Sequence, residues 1–250
     1  MRIITFIALL VISLNSMANC TVKLRVFDLL PNYYQDKNGQ WRGSSVDQSV
    51  AIIKKAGCSV EYVFTPWKRA LYLMSLGKLD MMSNLSMTDS RQQFIDFFAA
   101  QHTEKVVLVV KRGSNIQIQS LEDFTQLAKP IGILDGAFYG QQLADKIKDD
   151  KEFSTKLAIF NKFDLMLDAL TNNRISGFIQ DKQSMQRLLG KGRNNQFFEI
   201  HPYVLYQNTV YFGLSKKSVN SQLRDKLTQA YKELKAAGEL TKILGKYPAN

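Results

Sequence analysis

From Thr21 to Phe27 apolar and polar residues alternate, Thr21-Val-Lys-Leu-Arg-Val-Phe27, the period-two pattern of a strand with unlike faces. Pro31-Asn-Tyr-Tyr and Asp36-Lys-Asn-Gly39 interrupt it as a loop and a turn, because Asn-Gly accepts the left-handed backbone of a tight turn. Val46, Val50 and Ile53 recur at helical spacing, Gly57 ends that run, and Ser59-Val-Glu-Tyr-Val-Phe64 alternates again. The chain so far reads strand, helix, strand. A second helix is predicted from Pro66, with Trp67, Ala70, Leu71 and Met74 on one face, up to Gly77. A strand follows from Leu79 to Leu85, then a helix from Asp89 to Phe97 with Thr88 as its N-cap.

A second cycle starts at Lys105. Val106 to Val110 is a continuous apolar run, and Ser120-x-x-Asp123 has the spacing of a capping box that opens a short helix. Strands are predicted over Ile131–Leu134, Leu157–Phe160 and Ile175–Gln180, with Asp135-Gly136 turning into a helix over 138–148 and Phe163, Leu167 and Leu170 forming a helical stripe. Asp181 falls at the carboxyl end of its strand. Phe197–His201 and Val210–Leu214 read as the last strands, and Val219, Leu223, Leu227, Tyr231 and Leu234 mark a long amphipathic helix ending at Gly238. Such alternation implies mainly parallel sheets covered on both faces, with ligands bound beyond the carboxyl ends of strands.

The N-terminus changes the compartment. Met1-Arg2 is basic, Ile3 to Leu14 is almost wholly apolar, and Ser16-Met17-Ala18 has small residues where a signal peptidase needs them, so residues 1–18 read as an export signal cleaved after Ala18. The apolar run is shorter than the roughly 20 residues a bilayer span requires. Asn19 before Cys20 argues against lipid attachment there. A formal charge of +11 raises nucleic acid as a partner, but the Lys and Arg residues are scattered among acids in an exported chain, so a solvated basic surface and no nucleic-acid partner are expected. Export places Cys20 and Cys58 in an oxidising compartment. Each immediately precedes a predicted strand, so if the two strands are parallel neighbours the thiols lie side by side and a disulfide forms. The alternative is two unrelated buried thiols.

Catalytic motifs are not evident. His102 and His201 have no metal-ligand spacing, and the chain has neither a glycine-rich phosphate loop nor a Gly-x-Ser-x-Gly elbow, so neither a cofactor nor a metal is expected. The informative stretch is Asp80-Met-Met-Ser-Asn-Leu-Ser-Met-Thr-Asp-Ser-Arg91. It runs from a strand through the hydroxyls of Ser83 and Ser86 into a capped helix whose first turn carries Arg91, a combination that suits a carboxylate. An ordinary capped helix with a surface arginine fits the spacing equally well.

Taken in order, these stretches resemble the family 3 extracellular solute-binding proteins, best known as amino-acid-binding components of ABC importers. The resemblance is carried by Pro31-Asn-Tyr-Tyr, Gly39-Gln-Trp-Arg-Gly43 and Asp47; by Pro66, Trp67, Arg69, Ala70, Gly77 and Asp80; by Ser86, Thr88 and Arg91 with Ile95-Asp96-Phe97; and by Ser120-Leu-Glu-Asp-Phe124, Ile131-Gly-Ile-Leu-Asp-Gly136, Asp181, Gly238, Ile243 and Tyr247. It implies a type II periplasmic-binding-protein fold: two α/β lobes, the second inserted in the first, joined by two crossing strands near Thr103–Val107 and Leu205–Tyr211 and closing like a hinge. Lobe 1 is then 19–105 plus 210–250, and lobe 2 is 106–209. Carried over residue by residue, Arg91 pairs with a ligand carboxylate and Asp181 accepts from its ammonium group. Ser86, Ser83 and Asn84 add hydrogen bonds, and Trp67 packs on the ligand or, equally, in the core. Where relatives show Gly followed by Ser or Thr, this chain has Gly136-Ala137-Phe138-Tyr139, which places Phe138 and Tyr139 at a more aromatic pocket. The Leu29-Leu30 segment lacks the aromatic lid common after the first strand.

The resemblance thus implies a monomeric periplasmic binding protein that delivers a small polar, amino-acid-like ligand to an inner-membrane permease. Two alternatives keep the fold: a ligand-loaded partner of a membrane receptor, and an enzyme resembling the dehydratases of cyclic acids. The latter needs a cleft carboxylate as general acid, and no Glu stands near the anion site in sequence.

Overall fold

The computed structural model of the protein describes residues 20–190 and 194–247; the predicted export signal and the cleavage expected after Ala18 lie outside the described residues. The first cycle runs β1 (Thr21–Val26), the small hairpin β2 (Tyr34–Gln35) and β3 (Trp41–Arg42), α1 (Ser44–Lys55), β4 (Ser59–Phe64), α2 (Trp67–Ser75), β5 (Met81–Ser86), α3 (Asp89–Gln92) and β6 (Ile95–Lys111). The second has a 3-10 turn (Glu122–Gln126), β7 (Ile131–Leu134), α4 (Gln141–Asp149), α5 (Lys151–Thr155), β8 (Leu157–Phe160), α6 (Phe163–Thr171), β9 (Gly177–Asp181), α7 (Lys182–Gly190), α8 (Asn194–Phe197) and β10 (Phe198–Ser215). Helices α9 (Ser221–Ala236) and α10 (Glu239–Gly245) return to the first lobe and pack beside α1.

Two lobes share one ladder of strands, ordered β4-β1-β5-β10-β6-β9-β7-β8. The outer pairs β1–β4, β1–β5, β7–β8 and β7–β9 are parallel, as crossover helices require. The central pairs β5–β10, β10–β6 and β6–β9 are antiparallel, so a mainly parallel sheet describes the wings alone. Strands β6 and β10 pair with each other along nearly their whole length and run through both lobes. At one end Val210–Leu214 of β10 pairs with β5, and at the other Val106–Val110 of β6 pairs with β9.

Separate apolar cores flank each wing. In the first lobe Val22, Leu24, Ile52, Phe212 and Leu227 pack under α1 and α9, while Ala70, Met74, Leu79, Met82 and Leu85 pack under α2. In the second, Leu108, Phe124, Ile131, Phe153 and Ile179 fill one face, and Phe163, Met166, Phe178 and Met185 the other. Cys20 and Cys58 are disulfide-bonded with Cα atoms 4.8 Å apart, at the parallel register that sets Thr21 opposite Ser59. Among the described residues no helix is long and apolar enough to cross a membrane.

Several predicted boundaries give way to tertiary pairing. The helix over 89–97 stops at Gln92, because Ile95–Phe97 are taken into β6 opposite Ser215, Leu214 and Gly213. The strands over 106–110, 197–201 and 210–214 are pieces of the two long crossing strands, their polar middles held by mutual pairing. In Ser120-x-x-Asp123 the carboxylate reaches back to the Gln119 and Ser120 N–H groups, but the turn it opens is 3-10. The helix predicted over 138–148 begins only at Gln141, with Gly140 before it at φ 105°, where an added Cβ would lie 2.7 Å from the Tyr206 ring. Phe138 and Tyr139 are therefore loop residues.

Candidate functional site

Between the lobes lies a cavity of about 80 Å³, room for a small solute or several waters. Its first-lobe wall carries Arg25 from β1, Phe27, Asn32 and Tyr33 from the segment after it, Trp67 from the first turn of α2, Asn84 and Ser86 from β5, and Arg91 from α3. The facing wall carries Leu134 at the end of β7, Ala137, Phe138 and Tyr139 after it, Phe163 of α6, and Gln180, Asp181 and Ser184 at the β9–α7 junction. His102 and Glu104 enter from β6 between them.

Arg91 is 6% exposed. Thr88 caps the short α3 by accepting from the Arg91 N–H, which fixes the backbone that aims the guanidinium inward. Its Nη1 donates to the Ser86 carbonyl at 2.8 Å, and Nη2 crosses the cleft to the Gly136 carbonyl at 3.1 Å. Burial lowers its pKa to about 10, with Glu104 acting in the opposite sense, so it stays cationic at neutral pH. Asp181, 9% exposed, is on the opposite wall. Its Oδ2 accepts from the Ser184 N–H at 2.7 Å and the Ser184 hydroxyl at 2.8 Å, an N-cap for α7, while its buried Oδ1 has no hydrogen-bond partner among the described residues. A buried carboxylate oxygen left open costs free energy until a donor meets it. The Asn84 Oδ1, also buried and without a partner among the described residues, is a second open acceptor; Asn84 is held at φ 58° by Gln101, Tyr33 and Ser45.

The remaining predicted residues divide. Ser86 lines the cavity, and Trp67 stands beside it with its Nε1 donating to the Gly136 carbonyl at 3.1 Å and Arg25 and Arg91 stacked near its ring. Phe138 lines the cavity and meets Tyr206 edge-on. Tyr139 also lines it, but its hydroxyl accepts from the Leu134 N–H, and burial pushes its pKa up. Ser83 does not reach the cavity: its hydroxyl bonds the Tyr33 hydroxyl at 2.5 Å and so props a lining residue from behind. It sits one residue before Asn84 on a strand, and alternation turns it away.

Three lining groups had no signal in the sequence pattern. Arg25 occupies one of the polar positions of the alternating first strand, yet it is 3% exposed, donates through Nε to the Thr65 carbonyl, and lies 5.1, 5.6 and 5.1 Å from the ring centres of Phe27, Tyr33 and Trp67. Glu104 sits mid-strand on β6. Burial first, and the Asp181 charge second, push its carboxyl up to about 8, so a cleft Glu does stand beside Arg91, contrary to the linear reading. His102 is held neutral by burial, which lowers its pKa against the pull of Asp181.

The cleft is shut. Beyond the Gly136 contacts, the Lys68 ammonium pairs with Asp135 at 3.1 Å across its mouth, and Asn32 Nδ2 donates to the Ser184 hydroxyl at 2.7 Å. Ser184 therefore ties a first-lobe loop to the helix that Asp181 caps. The arrangement suits recognition: the Arg91 guanidinium and the open Asn84 Oδ1 on the first-lobe wall face the open Asp181 Oδ1 on the other.

Known proteins similar to this chain include periplasmic and ABC-transporter binding proteins. The chain is 26% identical over 233 residues to the histidine-binding periplasmic protein of Escherichia coli K12, covering 87% of this chain and 84% of that one. It is 26% identical over 212 residues to PatH of Vibrio harveyi, named as an amino-acid ABC transporter-binding protein, covering 84% and 82%. An ancestral arginine-binding protein solved with arginine superposes with a TM-score of 0.78 at 25% identity, covering 91% of this chain and 97% of that one. Residues 27–250 match the profile of the bacterial extracellular solute-binding proteins, family 3, with its two-lobed type II fold, and the chain belongs to that family.

Proposed function

We propose that this solute-binding protein captures a free α-amino acid in the periplasm and delivers it to an ABC importer, without chemistry on the ligand. The observation that carries this is the pair formed by Arg91 and the open Oδ1 of Asp181 on opposite walls of one closed cavity. A guanidinium suits the α-carboxylate and a carboxylate oxygen suits the α-ammonium, and both are satisfied by one guest only when the lobes shut. Relatives named for histidine, arginine and amino-acid ABC transport support the ligand class and the permease partner. Ser86 and Asn84 add hydrogen bonds, and Trp67, Phe138 and Tyr139 enclose the apolar part. In this reading lobe 1 is 19–105 plus 210–250, lobe 2 is 106–209, the signal is cut after Ala18, and the exported chain acts as a monomer.

A calorimetric titration of the mature chain, refolded to strip carried-over ligand, against each of the common L-amino acids tests the reading. At least one binds, and Arg91→Met weakens it by about thirtyfold or more, because the loss leaves a carboxylate buried without its cation. A folded chain that binds no amino acid refutes the proposal.

A further inference from the structure

The cavity holds more positive charge than one carboxylate needs. Arg25 and Arg91 both line it, with their guanidinium carbons 5.1 and 5.8 Å from the centre of the same Trp67 ring. Neither is ion-paired among the described residues: Arg91 spends its hydrogen bonds on two backbone carbonyls, and Arg25 has the Thr65 carbonyl, the Tyr33 hydroxyl and three aromatic faces. Aromatic faces stabilise a cation but do not neutralise it. The carboxyl groups on the walls are two, Asp181 and Glu104. Asp181 faces the second lobe's helix cap, the charge of the nearby Arg187 and the proposed ammonium. Glu104 retains its proton near neutral pH. His102 is neutral. Two guanidiniums thus face one committed carboxylate in a space that excludes bulk water, where an uncompensated charge is costly.

We propose that the guest is an α-amino acid bearing a second carboxylate, which Arg25 receives while Arg91 takes the α-carboxylate. This deepens the amino-acid reading and rests on it. The geometry also supplies the discrimination. The Arg25 guanidinium lies beneath the Trp67 ring on the first-lobe wall, so a ligand with a cationic side chain meets a fixed like charge there. An amide side chain removes that repulsion but leaves the guanidinium unpaired. Charge on the guest, more than its size, decides the preference.

The test is calorimetry on the mature chain at neutral pH with L-glutamate, L-aspartate, their amides L-glutamine and L-asparagine, and L-arginine and L-histidine. The expected result is that one acidic amino acid binds about tenfold or more tighter than its amide and than either basic amino acid. In Arg25→Gln, checked for folding by circular dichroism, that ratio falls to within about threefold; Arg25→Lys, which keeps the charge, retains a preference for the acid. An amide or a basic amino acid binding as tightly as the acids overturns this inference and leaves the amino-acid reading standing. So does an undiminished acid preference in folded Arg25→Gln. If no amino acid binds, both readings fall together. The wild-type ratio is decisive even if neither variant folds.

Discussion

Asp181 does two jobs with two oxygens, and this makes them separable by substitution. Oδ2 caps α7 through Ser184, a role an amide oxygen performs about as well, whereas Oδ1 faces the cavity as an unpaired acceptor. Asp181→Asn is therefore expected to leave thermal stability within about 1 kcal/mol of wild type. Amino-acid affinity falls by about tenfold or more, because a charge-assisted bond to ammonium is lost. Parallel melting curves and calorimetry check both halves; a large loss of stability with little loss of affinity reverses the assignment. Arg91 and Asp181 were legible in the linear sequence because each sits at a recognisable junction, a capped helix start and a strand end. Arg25, Glu104 and His102 were not. Each is a polar residue inside a strand, where one face is normally solvent, and only the second lobe folding over them turns that face inward.

At the scale of elements, the disulfide shows how far period-two reasoning reaches. Both cysteines precede strands, and the parallel register of β1 and β4 brings them together, closing a segment with a sequence separation of 38. In the chain-entropy view this constrains the unfolded chain by about 4 kcal/mol. A Cys20→Ser, Cys58→Ser double variant is expected to melt lower by roughly 8–16 °C, at about 2–4 °C per kcal/mol for a chain of this size. Amino-acid affinity at low temperature should be nearly unchanged, since the bridge lies at the far end of strand β1 from the Arg25–Phe27 segment that lines the cavity. Differential scanning calorimetry with matched titrations distinguishes this from a site effect. The long strands were harder to foresee. Residues 95–111 and 198–215 carry polar stretches that on local pattern alone read as breaks, and the ladder they make with each other supplies the continuity.

Closure is a property of the whole molecule, and so is the titration of Glu104. Its carboxyl is pushed to about 8 from an ordinary 4.5, foremost by burial between the lobes. Below about pH 4.5 the proton is bound in both folded and unfolded chains. As pH rises through the window up to about 8 the unfolded chain releases a proton that the folded one keeps, so this group's contribution to stability falls steadily and then levels off. His102 works the other way: because its folded pKa lies below the ordinary 6.5, its contribution to stability rises as pH climbs toward 6.5 and is constant above it. The difference between wild type and Glu104→Gln isolates the carboxyl. In ligand-free melts the variant is expected to gain a few degrees relative to wild type between pH 5.5 and 8, and a difference that stays constant with pH contradicts the assignment.

The linear order of residues was sufficient to establish the alternation of strands and helices, the cysteine pairing as a conditional expectation, and the two junctions that carry Arg91 and Asp181. Each of these is encoded locally, in side-chain period, cap chemistry and the neighbours of a strand end. Which polar residues become buried, that Ser83 turns behind the wall while Arg25 joins it, and that a glutamate stands beside the arginine were decided only when β6 and β10 brought the two lobes face to face. Burial and mutual distance depend on partners far along the chain, and no local pattern records them.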